Sequence, residues 1–162
     1  MDYSLVDGFL RAVAQDAMDD EACKLLSTYV AFTRALGLLH QQNHWIAQDY
    51  GDHLLFERLY DESQELADGA AERVMGLCNK LSLEGAESVI AQRFAAKEES
   101  LVGCLESSLA IEKAFQDVCK KTYDTLKEKD MITLGLDDMI MGQASDGETH
   151  IYLLQQALKG AQ

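Results

Sequence analysis

Two histidines and three carboxylates lie close together in the sequence, in a pattern that suits a metal ion. They are His44, His53, Glu57, Asp68 and Glu72. Imidazole nitrogens combined with carboxylate oxygens suit iron(II), and also zinc or manganese. Each residue alone has an ordinary explanation as a solvated or core side chain. The hypothesis of a metal site therefore depends on whether the fold brings all five together.

Four of these side chains share one face of a predicted helix. Each residue of an α-helix advances by about 100° around the axis and about 1.5 Å along it. With His53 at zero, the other three fall at about 40°, 60° and 100°. Glu57 and Asp68 are nevertheless eleven positions apart, which is about 16 Å along the axis. Because metal ligands lie only about 2 Å from the ion, one subunit cannot complete the site.

An antiparallel pairing of two copies of this helix about a two-fold axis brings the separated ligands together. The start of one helix then faces the end of the other, and the dimer contains two identical sites. The break before the helix is short, so the end of the preceding helix returns close to its start. The predicted site combines His44, His53 and Glu57 of one chain with Asp68 and Glu72 of the partner subunit.

The apolar periodicity predicts an all-α protein with four long helices and a short helix in the connection between the second and third. The chain has no proline and is 48% hydrophobic, and residues that favour helices are frequent. One domain is expected over 1–162, with 1–18 as a short N-terminal helix or tail. Asp52 is expected to cap the second long helix. We expect a four-helix bundle with helices at about 21–48, 53–79, 84–95, 97–129 and 137–158, and a turn at 131–136.

Acidic charge dominates the chain. Twenty-eight Asp and Glu residues against 14 Lys and Arg give a formal net charge of −14. Such a field repels nucleic acid and anionic membranes and attracts cations. The sequence shows neither a signal peptide nor an apolar run as long as a membrane span. We expect a cytoplasmic protein that binds neither DNA nor membranes, with four cysteines buried as small apolar residues in a reducing compartment: Cys23, Cys78, Cys104 and Cys119.

The stretch from residue 44 to 73 resembles the signature of the Dps family, the dodecameric mini-ferritins of bacteria and archaea. In that family one helix ends in His-Trp, and the next carries His, a carboxylate four residues later, and finally Asp-x-x-x-Glu-Arg. The last helix is similar too, around Asp138-Met139 and Glu148 to Tyr152. The matching residues of the signature are His44, Trp45, His53, Phe56, Glu57, Tyr60, Asp68, Glu72 and Arg73.

This chain departs from the family pattern at four points. The loop after His44 is shorter than usual, Glu57 replaces the more frequent aspartate, and Tyr152 replaces the usual tryptophan. The N-terminal residues lack the lysine-rich tail through which many relatives bind DNA, since Arg11 is the only basic residue before Lys24. DNA binding is therefore not expected.

The resemblance implies a ferritin-like bundle that assembles from two-fold dimers into a hollow dodecamer. It also implies a ferroxidase that oxidises iron(II) with hydrogen peroxide or oxygen, stores ferric mineral inside and protects against oxidative stress. Iron is the expected metal, with zinc as a surrogate, and the five residues above are its ligands. Further candidates are His40, Trp45 and Asp61 for contacts around the site, and Asp130, Asp137 and Asp138 for pores through which ions enter.

Two other functions fit the same residues. One is a ferritin-like protein that binds zinc or another metal without redox turnover, and the other is a metal-free bundle with a structural or interaction role. Ferritins and bacterioferritins hold their di-iron site inside one subunit with Glu-x-x-His motifs. No histidine of this chain has a glutamate three residues before it, which argues against that kind of site. No role is predicted for His150.

Overall fold

The computed structural model describes residues 18–161, and these residues form helices and connections without any strand. The all-α prediction, with a short helix between the second and third long ones, is confirmed. The segment predicted before residue 18 lies outside the described residues. The helices are α1 (Asp20–Ile46), α2 (Tyr50–Cys78), α3 (Ala86–Phe94), α4 (Leu101–Glu128) and α5 (Leu134–Gly160).

Helix ends differ from the predicted ones where a polar side chain caps the first turn. Asp49 caps α2 through the N–H of the second helical residue, so the predicted cap Asp52 lies inside the first turn. The Thr133 hydroxyl caps α5, so half of the turn predicted at 131–136 belongs to that helix. Ser100 caps α4, which starts four residues later than predicted.

The four long helices enclose a core in which α1 occupies the central position. α1 packs against α2, α3 and α4, and α5 packs mainly on α4. Every long helix contributes a fully buried large side chain, namely Tyr29, Phe56, Phe115 and Leu136 in chain order. By length and composition α1 could cross a membrane, but 67% of its apolar window is buried inside the bundle. Packing in the core therefore accounts for its apolar residues.

Two of the four cysteines are bonded to each other, so the prediction of four buried thiols is wrong for this pair. Cys23 at the start of α1 and Cys78 at the end of α2 form a disulfide, with their Cα atoms 5.7 Å apart. It joins the two helices at the end opposite to their short connection, residues 47–49. Cys104 and Cys119 are buried free thiols, as predicted.

We expect the disulfide to stabilise the fold by about 2–4 kcal/mol, because a cross-link between distant positions restricts the unfolded chain. Reductant should lower the midpoint of thermal unfolding of the wild-type protein, as measured by calorimetry. The matched control is the Cys23→Ser, Cys78→Ser double variant, whose midpoint should be low already and insensitive to reductant. A wild-type midpoint that does not change after thiol titration has shown complete reduction would contradict this prediction.

Candidate metal centre

The structure brings His44, at the end of α1, into contact with His53, at the start of α2. Their ring centroids are 3.7 Å apart. His44 Nδ1 lies 3.0 Å from the backbone oxygen of His53, and His53 Nδ1 lies 3.1 Å from that of His44. Because a carbonyl oxygen only accepts hydrogen bonds, each Nδ1 must carry a proton. With Nδ1 protonated, Nε2 is the nitrogen of each ring that can bind a metal.

Glu57 lies one helical turn after His53, and both side chains are half-buried. Tyr60 follows after a further turn, and its ring meets His44 edge to face with centroids 5.2 Å apart. This contact helps to hold the His44 ring in position. We call His44, His53 and Glu57 the histidine half-site, since together they provide two imidazole nitrogens and one carboxylate.

The two remaining predicted ligands, Asp68 and Glu72, are exposed on the C-terminal half of α2, and we call them the acidic half-site. Asp68 lines an open groove of about 500 Å³ between α1 and α2, together with Arg34 and Gln41. Within residues 18–161, no three His, Cys, Asp or Glu side chains are arranged to hold a metal ion. One chain alone therefore does not bring the five predicted ligands together.

Large apolar side chains are exposed on the same side of the molecule as the two half-sites. Trp45 and Tyr50, beside the histidine half-site, are 69% and 75% exposed. Leu54 and Met75 are 41% and 45% exposed, and they fall at about 100° and 40° on the arc of α2 that carries the ligands. Leu54 and Met75 are 21 positions apart, which is about 31 Å along the helix, so they are separate exposed side chains on this arc.

The other predicted residues are scattered. His40 is fully buried inside the bundle, whereas Asp61 is exposed. The three pore candidates lie at the α4–α5 connection. Asp130 follows the end of α4 with a positive φ of 55°. Asp137 lies in the first turn of α5, where acidic side chains are favoured by the helix dipole, and Asp138 follows it. Their role in a pore stays a prediction, because a pore requires several subunits.

A second polar group, which was not predicted, lies inside the bundle and takes one side chain from each long helix. His40 Nε2 and His150 Nδ1 are each 2.9 Å from Glu112 Oε1, and His150 Nε2 is 2.7 Å from Glu62 Oε2. His40, Glu112 and His150 are at most 1% exposed. We call these four residues the core polar cluster. The sequence did contain one indication of this cluster, because Glu112 falls on the apolar stripe of α4 and is therefore expected to be buried.

One arrangement of protons satisfies the hydrogen bonds of His40. Asn43 Nδ2 donates to Ser108 Oγ at 2.8 Å, and the Ser108 hydroxyl can then donate to His40 Nδ1 at 3.0 Å. His40 carries its own proton on Nε2 and donates it to Glu112. In this tautomer both ring nitrogens have a hydrogen-bond partner.

The charges of the cluster compensate one another. Burial alone would raise the pKa of Glu112, but hydrogen bonds from His150 and His40 outweigh burial and lower that pKa. Burial opposes the charged form of His150, yet hydrogen bonds to Glu112 and Glu62 raise its pKa. Burial would also raise the pKa of Glu62, but hydrogen bonds from His150 and Arg58 lower it. The cluster thus contains two carboxylates bridged by an imidazolium.

Solved Dps structures share this fold. A Dps1 mutant from Mycobacterium smegmatis superposes with a TM-score of 0.74 at 14% sequence identity, over 87% of this chain and 99% of that one. DpsC from Streptomyces coelicolor gives a TM-score of 0.72 at 23% identity, over 85% and 83% of the two chains. The sequence matches no protein-family model and no curated protein. The chain therefore has the ferritin-like four-helix fold of Dps proteins, and the resemblance expected from the sequence is confirmed for the fold.

The core polar cluster predicts a pH window in which it contributes most to stability. The lowered pKa of Glu112 gives stability that is present above the ordinary value of 4.5 and is lost as the pH falls through the lowered value. The raised pKa of His150 gives stability that is present below the ordinary value of 6.5 and is lost as the pH rises through the raised value. Both contributions are complete only between pH 4.5 and 6.5.

Urea unfolding in the presence of a chelator, at pH values inside and on both sides of this window, measures the contribution of the core polar cluster to stability. The difference in free energy of unfolding between wild type and a Glu112→Gln, His150→Gln double variant should be largest inside the window. The double variant keeps polar side chains of similar size but removes both charges. A difference that does not vary with pH would contradict the assigned charges.

Proposed function

We propose that this chain is the subunit of a mini-ferritin that oxidises iron(II) and stores it as ferric mineral inside a hollow dodecamer. The observation that carries the proposal is the contact between His44 and His53. Both rings hold the proton on Nδ1 against a backbone carbonyl, so both keep Nε2 for a metal ion. The likeness to Dps structures supports the proposal at the level of the fold.

The site becomes complete in a two-fold dimer. Within one α2 helix the two half-sites are about 16 Å apart along the axis. Two antiparallel α2 helices therefore place the histidine half-site of each subunit against the acidic half-site of the other. The exposed Leu54 and Met75 lie on the same arc of α2 and would be buried in that interface. Their burial contributes about 25 cal/mol for each Å² removed from water. Assembly and metal binding therefore use one surface.

The ligands suit the oxidation of iron. Each iron(II) ion gives up one electron, and hydrogen peroxide accepts two electrons and two protons as its O–O bond breaks to form two water molecules. Carboxylate oxygens from Glu57, Asp68 and Glu72 favour iron(III) over iron(II), because anionic ligands stabilise the higher charge. Transfer of both electrons at one site consumes peroxide without releasing radicals, which is how the protein protects against oxidative stress. Oxygen is the alternative oxidant.

The charge of the chain agrees with iron as substrate. A formal net charge of −14 attracts cations and repels DNA. Asp130, Asp137 and Asp138 are the candidates for pores that lead iron into the particle. The same charge gives no reason to expect the DNA binding known for the tailed relatives.

Loss of a ligand from either half-site should slow iron oxidation. His53→Ala and Glu72→Ala should each reduce the rate with hydrogen peroxide at least about tenfold, since even the loss of residues that orient metal ligands costs about 10- to 100-fold. Stopped-flow absorbance of the ferric product measures the rate. The matched control is Glu106→Ala, which removes an exposed carboxylate from α4 and should leave the rate unchanged.

Two outcomes would contradict the proposal. If both variants oxidise iron at the wild-type rate, the five residues are not the site. If light scattering shows that the wild-type protein is a stable monomer, the interface site cannot exist, because half of its ligands would be missing. Sizing every variant separates loss of ligands from loss of assembly.

A further inference from the structure

We propose that the core polar cluster is a second metal site, complete within one subunit, that binds one divalent transition-metal ion of the zinc or iron(II) class. The ligands are His40 Nε2, His150 Nδ1 and the carboxylate of Glu112. The proposal does not rest on the function proposed above, since none of these three residues belongs to either half-site.

The donor atoms and their spacing suit such an ion. Two imidazoles and one carboxylate are a ligand set that zinc and iron(II) both accept. Both ring nitrogens lie 2.9 Å from Glu112 Oε1. Around an ion with bonds of about 2.1 Å, neighbouring donors are about 3.0–3.4 Å apart. Each of the two nitrogen–oxygen pairs therefore needs to separate by only a few tenths of an ångström to share an ion.

The second oxygen of Glu112 is an independent indication of a ligand. Glu112 Oε2 is buried, and it has no hydrogen-bond partner among the described residues. Such an oxygen loses the water that would solvate it and gains nothing in return, so its position in a native core needs an explanation. A Cβ at position 147 would stand 3.5 Å from this oxygen and would clash with Gln116 Nε2, so Gly147 leaves room for both side chains.

The nitrogens that do not face Glu112 are held in the way that metal-binding histidines usually are. His150 Nε2 bonds Glu62 Oε2 at 2.7 Å, and His40 Nδ1 bonds Ser108 Oγ at 3.0 Å. In protein metal sites the remaining ring N–H typically donates to a carboxylate or another oxygen, which orients the ring and strengthens it as a ligand. Arg58 bonds Glu62 at 2.7 Å and fixes this outer carboxylate in turn.

Metal binding exchanges a proton for the ion. In the described residues the two rings hydrogen-bond to Glu112, and without movement the three side chains are not arranged to hold a metal ion. The ion takes His40 Nε2, whose proton moves to Nδ1 where Ser108 Oγ accepts it, and it displaces the Nδ1 proton of His150. One proton is released for each ion bound. Two carboxylates, Glu112 and Glu62, then balance the double positive charge.

Cobalt(II) titration of a full-length variant that carries His53→Ala and Glu72→Ala tests the site, because its visible absorption reports metal coordination. The two substitutions remove one ligand from each half of the interface site. After treatment with a chelator, we expect one tightly bound cobalt(II) ion per chain. Because the site lies within one subunit, we expect one cobalt(II) ion per chain in both assembled and unassembled protein. Adding Glu112→Gln should weaken this binding at least tenfold, whereas adding Glu106→Gln should not change it.

The outcomes separate the two proposals. No tight cobalt(II) binding in the interface variant would overturn the buried site, whatever the rate of iron oxidation in the wild type. Binding that Glu112→Gln leaves unchanged would overturn it as well. If circular dichroism shows that Glu112→Gln does not fold, His40→Gln gives the same test with a neutral polar side chain in place. Loss of iron oxidation in the interface variant together with retained cobalt(II) binding would support both sites.

Discussion

The reciprocal hydrogen bonds between His44 and His53 are the interaction on which the rest of the site depends. Each ring donates to the backbone oxygen of the other residue, so the bonds close the α1–α2 connection and fix the tautomer of both rings. The loop between the helices is only three residues long, 47–49, which forces the end of α1 onto the start of α2. The arrangement of the histidine half-site thus follows from the way two helices are joined. The length of α2 then separates this half-site from Asp68 and Glu72, so one subunit cannot bring the five predicted ligands together.

Burial of charge is the second constraint, and it acts inside the bundle. Removing a carboxylate from water costs several kcal/mol unless it is paired and hydrogen-bonded. Glu112 meets this requirement at one oxygen through His40 and His150, and the other oxygen has no partner among the described residues. A core held only by apolar packing would have no need of these groups. The cluster therefore adds a charge-dependent contribution to a bundle that large buried side chains from all four long helices already stabilise.

Periodicity was sufficient to predict the helices, because each long helix has an apolar stripe that the core must cover. The helix ends were predicted less well, since a cap such as Asp49 or Thr133 is chosen among several polar residues only when the chain folds. The disulfide between Cys23 and Cys78 could not be predicted from spacing, because it depends on how α1 and α2 pair along their whole length. The shared face of His53, Glu57, Asp68 and Glu72 on α2 was also predictable, because the helical repeat fixes which residues lie on one side of a helix. The core polar cluster was not, because its members are single residues on four different helices.

The central claim is that each iron-oxidation site between the α2 helices needs residues from two subunits, and mixed particles test it most directly. His53→Ala and Glu72→Ala subunits carrying different affinity tags are co-expressed, and particles with both tags are isolated. In a mixed dimer, one site has lost both residues and the other has all five ligands. Random pairing makes half of the dimers mixed, so iron oxidation should recover to roughly a quarter of the wild-type rate, while each variant alone stays slow. Mixed particles of normal size that remain as slow as the single variants would contradict a site shared between subunits.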